Sequence, residues 1–296
     1  MRRVSRLRFV GVLGAAAAVL AGCASTLDGE RAAVVYQRYA TEMAAQGRFR
    51  EDFRPSDVVY TNAELVEHFD KVVFLPEAAN ARFRAQKSPT RTLSKWTRPI
   101  RFRFHGSPDL EDISTVAGIL ADFRRYTSLE IAPAEGPEAA NLTIYVLDAG
   151  ERKRLESQLR DQTDSPPRPI LKAWVNELEL PCFGLFRTVA LDGGEILRAS
   201  IFVKDELTTP FRRACFVEEL SQALGLTNDH DDVRPSIFND DQEFIALTEH
   251  DSYLIRLLYD PQMRPGMTRA EAMIVAKRLV NTIRPETRRN LKPRSG

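Results

Sequence analysis

"CFVEELSQALGLTNDHDD", residues 215–232, decides how this chain is read. On a helix, Glu218 and Gln222 stand four residues apart and share one face; Glu219, three before Gln222, lies beside them. Val217, Leu220 and Leu224 form the opposite apolar stripe. Gly225 suits a helix stop, where the backbone turns to positive φ. Periodicity alone gives an amphipathic helix with a solvated acidic face. An acidic turn follows, made of Asn228, Asp229, His230, Asp231 and Asp232.

Upstream, "GGEILRASIFVKD" (193–205) reads as a strand that enters this helix through "ELTTP". "RPIRFRFHG" (98–106) alternates Ile100, Phe102 and Phe104 with Arg101, Arg103 and His105, which is strand periodicity. Ser107, with Pro108 after it, predicts the start of a helix through residue 127. "NLTIYVLD" (141–148) is a further strand, "ERKRLESQLRDQ" (151–162) a charged helix, and "TDSPPRP" (163–169) a loop. Downstream, Thr248 with Asp251 and Thr268 with Glu271 form capping boxes that start two more helices, the second ended by Pro285. The order strand, helix, strand, strand, helix, loop, helix predicts an α+β fold. No repeat, Gly-x-Ser-x-Gly elbow or phosphate-binding glycine loop is present.

The N-terminal stretch "MRRVSRLRFVGVLGAAAAVLAGCAS" joins four arginines to a 14-residue apolar run, Phe9 to Gly22, too short for a spanning helix of about 20 residues. Leu20-Ala21-Gly22-Cys23 resembles the bacterial lipobox, which implies a signal peptide over 1–22 and lipid attachment at Cys23. Ala24 stands where inner-membrane lipoproteins often carry Asp, so an outer-membrane lipoprotein facing the periplasm is expected. Cleavage takes 22 of the 296 residues and leaves 274; four arginines go with the leader, turning the net charge from +1 to −3. That near balance gives no electrostatic case for nucleic acid. Residues 23–95 are expected to be a tether with helical segments, beginning with "GERAAVVYQRYATEMAAQG" (29–47) and with a capping box at Thr61 and Glu64. The tail 284–296 is basic, polar and expected to be disordered. In an oxidising compartment Cys182 and Cys215 are candidates for a disulfide, the alternative being two buried thiols.

The order strand, loop, helix, glycine stop and acidic loop resembles the zincin fold of metallopeptidases. In its metzincin branch the signature is H-E-x-x-H-x-x-G-x-x-H or D. In that register the general-base glutamate falls at Glu219 and the glycine at Gly225. The ligand positions hold Glu218, Gln222 and Asn228, with His230 two residues beyond the last. "ALTEHDSYLIRLLYDP" is similar to the helix that closes the matrixin-type domain, and "PSIFND" (235–240) stands where a methionine turn is expected. The lipobox with "CFVEELSQALGLTND", "SIFND" and "LLYDP...RPGM" resembles a family of uncharacterised proteobacterial lipoproteins, domain of unknown function 2927, over about residues 95–267. The resemblance implies a zincin-like domain over 96–267, a small mixed sheet packed on the active-site-type helix, followed by a C-terminal helix and tail over 268–296.

Zinc in such sites takes imidazoles or imidazoles with a carboxylate. One carboxylate and two amides are poor zinc donors, and oxygen-only sets favour calcium, magnesium or manganese. The 228–232 turn lacks the spacing of a calcium loop. No metal or other cofactor is therefore expected, zinc or calcium being the weaker alternative. The expected role is non-catalytic binding or scaffolding, with the membrane through Cys23 and an envelope protein or peptidoglycan as partners. The alternatives are a divergent metal-dependent peptidase or amidase with Glu219 as base, and a glycan hydrolase pairing Glu219 with Asp229.

Overall fold

In the computed structural model, residues 29–75, 92–159, 168–190, 193–239 and 242–285 are described. The signal segment, Cys23 and the tail from 286 lie outside them.

The fold is mixed, α+β, and its centre is a largely parallel sheet. Strand β1 is Ser94–Lys95, β2 Ile100–Gly106, β3 Ile131–Pro133, β4 Leu142–Leu147, β5 Cys182–Ala190 and β6 Gly193–Lys204. β2 runs between β3 and β4, and β4 pairs with β6, all parallel. β5 closes one edge antiparallel to β6, and short β1 runs along the start of β6. Parallel neighbours need crossovers, and helices supply them. Helix α3, Leu110–Thr127, links β2 to β3. Helices α4, Ala149–Leu159, and α5, Arg168–Asn176, lie between β4 and β5.

One face of the sheet buries Ile100, Ile144, Val146, Ile201 and Val203 against α3 and helix α6, Thr209–Ala223. The other face carries a smaller core in which Phe202 stacks on Phe183 and Tyr145, with Trp174 of α5 edge-on. Side chains alternate across a strand, so both faces come from one run of residues.

Two helices precede the sheet, α1 (Gly29–Ala45) and α2 (Asn62–Phe74). The expected tether does not describe them. Tyr36, Leu65, Phe69 and Val72 belong to the main core cluster. Tyr36 donates to Leu178 O, 142 residues away. The C-terminal helix α8, Arg269–Ile283, packs on α2, with Arg269 ion-paired to Asp70 and Asn62 bonded to Asn281. α8 is thus part of the same core, not an appendage to it. Helix α7, Glu249–Tyr259, lies beneath both.

The boxes at Thr61, Thr248 and Thr268 form as the local sequence dictates. The start of α3 differs: Asp109 is its N-cap, in a box with Asp112, and Ser107 and Pro108 precede it. A carboxylate at both ends of a four-residue box outcompetes the serine two residues earlier.

Candidate functional site

α6 is set by what surrounds it rather than by a solvated face. Cys215, Phe216, Val217, Glu219, Leu220 and Ser221 are all buried, so the expected amphipathic helix is enclosed on nearly every side. Two anchors hold it. At the first, Cys215 forms a disulfide with Cys182 at the start of β5, Cα atoms 6.0 Å apart. Closing this 33-residue separation contributes about 3–4 kcal/mol on the chain-entropy estimate. At the second, Gly225 adopts φ +114°, and a Cβ there would fall 2.0 Å from Ser94 O, so β1 passes directly against the helix stop. Trp96 Nε1 donates to Ala223 O and Tyr259 Oη to Leu224 O, satisfying the terminal carbonyls of the helix.

The expected site residues do not converge on one point. Glu219 turns toward the edge strand: its Oε2 lies 2.8 Å from where a Cβ on Gly184 of β5 would sit. Glu218 faces the other way, 3.5 Å from Gln242 Nε2. Gln222 donates through Nε2 to Asp229 Oδ2 at 2.8 Å. Asn228 is buried and donates to Val72 O, at the end of α2, at 2.9 Å. The backbone amides of Thr227 and Asn228 reach the same carbonyl. His230 Nε2 lies 3.1 Å from Leu75 O. A carbonyl only accepts, so Nε2 carries the proton and is not a metal donor. The acidic turn is half-buried rather than solvated: Asn228 and Asp229 are enclosed, and Asp232 pairs with Lys71.

These donors do not fit a catalytic zinc. The ligand positions offer one carboxylate and two amide oxygens, which are weak zinc ligands, and the amide nitrogens are turned to Asp229 and Val72 O. Among the described residues no three His, Cys, Asp or Glu side chains are grouped to hold a metal ion. Asp240 and Asp241, beside Gln242, lie outside those residues.

The residues in place of the methionine turn have a different task. Arg234–Pro235 is a cis peptide, and the turn after it is held by Asp251, which is fully buried at the first turn of α7. Asp251 accepts from Ser236 Oγ, Ile237 N, Thr248 N and Thr248 Oγ1. Four donors satisfy a carboxylate that burial alone would penalise. Next to it, His250 Nε2 meets His68 Nδ1 of α2 at 2.9 Å, and the Tyr60 ring stands edge-on to His250. Burial, with the His250 and Lys71 charges second and third, lowers the His68 pKa to about 4. This buried pair, 182 residues apart, had no signal in spacing or motif.

Among the described residues no helix is long and apolar enough to cross a membrane. Neither a curated protein nor a solved structure matches the chain. The sequence profile of the proteins of unknown function DUF2927 matches residues 62–278. The match starts at α2 and runs into α8, so it takes in both helices that flank the sheet domain in sequence. Covering well over half of the 296 residues, it places the chain in the DUF2927 family.

Proposed function

We propose that this protein is a cell-envelope lipoprotein, anchored in the outer membrane through Cys23 and facing the periplasm. Its zincin-like domain has a degenerate site and acts by binding or scaffolding rather than catalysis. The architecture that supports the zincin-like likeness is a mixed sheet with one antiparallel edge strand, packed on a helix that ends at a positive-φ glycine. The observation that carries the non-catalytic reading is the chemistry of the donor set: the ligand positions of the register hold Glu218 and the amides Gln222 and Asn228, whose oxygens are weak zinc ligands, and Asn228 is turned to Val72 O. The Cys182–Cys215 disulfide fits an oxidising compartment.

Glu219 remains as a buried carboxylate at the edge strand, which keeps a divergent peptidase or amidase as the competing reading. One preparation tests both. The mature chain, purified from membranes, should begin at an acylated Cys23 by mass spectrometry. It should leave peptide and peptidoglycan substrates intact with zinc, manganese or calcium added. Hydrolysis abolished by Glu219→Gln in a folded protein would overturn the non-catalytic reading; an unmodified N-terminus upstream of Cys23 would overturn the anchor.

A further inference from the structure

Three parallel strands and four helices end or begin at one pole of the molecule. β2, β4 and β6 finish together there, with Gly106 opposite Val146 and Leu147 opposite Lys204. Helices α3, α4 and α6 start within a few residues of those ends. The N-terminus of α1 is at the same pole, because Gly29 sits against the Glu206 side chain. Arg212 ties the pole together, donating to Asp205 O and pairing with Asp109 and Asp112 at the start of α3.

The same pole carries exposed apolar side chains. Leu110, the first residue of α3, is 85% exposed, and Ile113, one turn on, is 43% exposed. Residues three apart share a helix face, so the two point outward together. The polar side chains beside them are held internally: Asp109 is paired with Arg212, and Glu111 accepts from Thr209 Oγ1. An exposed apolar pair on the first turn of a helix is suited to an interface with lipid rather than to a charged ligand.

We infer that this pole, with Leu110 and Ile113, rests on the bilayer that holds the acylated Cys23. The inference depends on the lipoprotein reading above. The chain length supplies the reason: Gly29 is six residues beyond Cys23, and six extended residues span at most about 20 Å. The pole that holds Gly29 therefore stays within that distance of the headgroups, and the tether sets no such limit on the opposite pole. Val189 marks the opposite pole. It is 60% exposed near the end of β5, where Ala190 pairs with Gly193 at the start of β6. The length of β6, roughly 36 Å at 3.3 Å per residue, separates the poles. With the leaflet beneath, Leu110 and Ile113 enter the interfacial layer.

The test uses the full acylated chain, with Leu110→Cys or Val189→Cys labelled by a small fluorophore. The native thiols are occupied by the disulfide and the lipid. Each variant is placed in phosphatidylethanolamine–phosphatidylglycerol vesicles containing nitroxide-labelled acyl chains, and flotation confirms attachment. Quenching about threefold or more greater at position 110 than at 189 is expected, and insensitive to salt, because an interfacial apolar face sits only 5–10 Å deep. Equal or absent quenching at 110 in protein that floats and carries the acyl mass would overturn this orientation while leaving the anchor intact. A chain without acyl mass that fails to float would overturn both.

Discussion

Gly184 shows how tightly Glu219 is packed. A methyl group there would meet Glu219 Oε2 at 2.8 Å and Ile201 Cδ1 at 3.2 Å, both in the interior. Overpacking of this kind costs roughly 1–3 kcal/mol. Gly184→Ala should therefore lower the thermal midpoint, and Glu219→Ala in the same chain should recover part of the loss, since contacting residues are not additive. An unchanged midpoint in Gly184→Ala would mean that the Glu219 carboxylate moves aside rather than being held against β5. His68 gives a second test at this scale. Its folded pKa, about 4, is below the ordinary 6.5, so the unfolded chain takes up the proton first as pH falls. The contribution is complete above pH 6.5 and is lost between 6.5 and 4, up to about 3 kcal/mol at 1.4 kcal/mol per unit. Chemical denaturation across that window should show the decline in the native protein and a flatter profile in His68→Gln.

Elements were legible in the sequence where their signals were local. Thr61, Thr248 and Thr268 each announce a helix because a capping box needs only four residues. Gly225 was legible as a stop because positive φ favours glycine. β5 was not: "CFGLFRTVA" contains a glycine and two register shifts, so its apolar positions do not alternate cleanly. Nor was α5, since a proline pair precedes it and it is only nine residues long. The expectation of a tether over residues 23–95 misses how α1 and α2 pack. Their inner faces are paid back only by partners more than 140 residues away. Tyr36→Ala, neutral in a tether, should here cost about 3 kcal/mol, as for an aromatic removed from a core, and is checked by urea denaturation. At α6, reduction of Cys182–Cys215 should lower stability by about 3–4 kcal/mol, measured as a shift of the unfolding midpoint with dithiothreitol present.

For the whole molecule, the candidate site was legible as a place and not as a chemistry. The spacing of Glu218, Glu219, Gln222, Gly225 and Asn228 identified the helix and its stop. It could not show that Asn228 serves α2, that Gln222 serves Asp229, or that Asp251 organises the 235–239 turn in place of a methionine turn. The Asn228 partner comes from 156 residues away, and the other two depend on how the chain turns between the paired residues, which a local motif does not specify. The folded core joins α1, α2, the sheet and α8 around α6, whose Glu219 is buried at the edge strand. Its neighbouring donors are used for structure. The most direct measurement is the zinc content of the native chain, purified from membranes without metal-affinity resin. Zinc well below one atom per chain, unchanged by Glu218→Ala, is the predicted result. One zinc per chain, lost on Glu218→Ala without loss of folding, would contradict it.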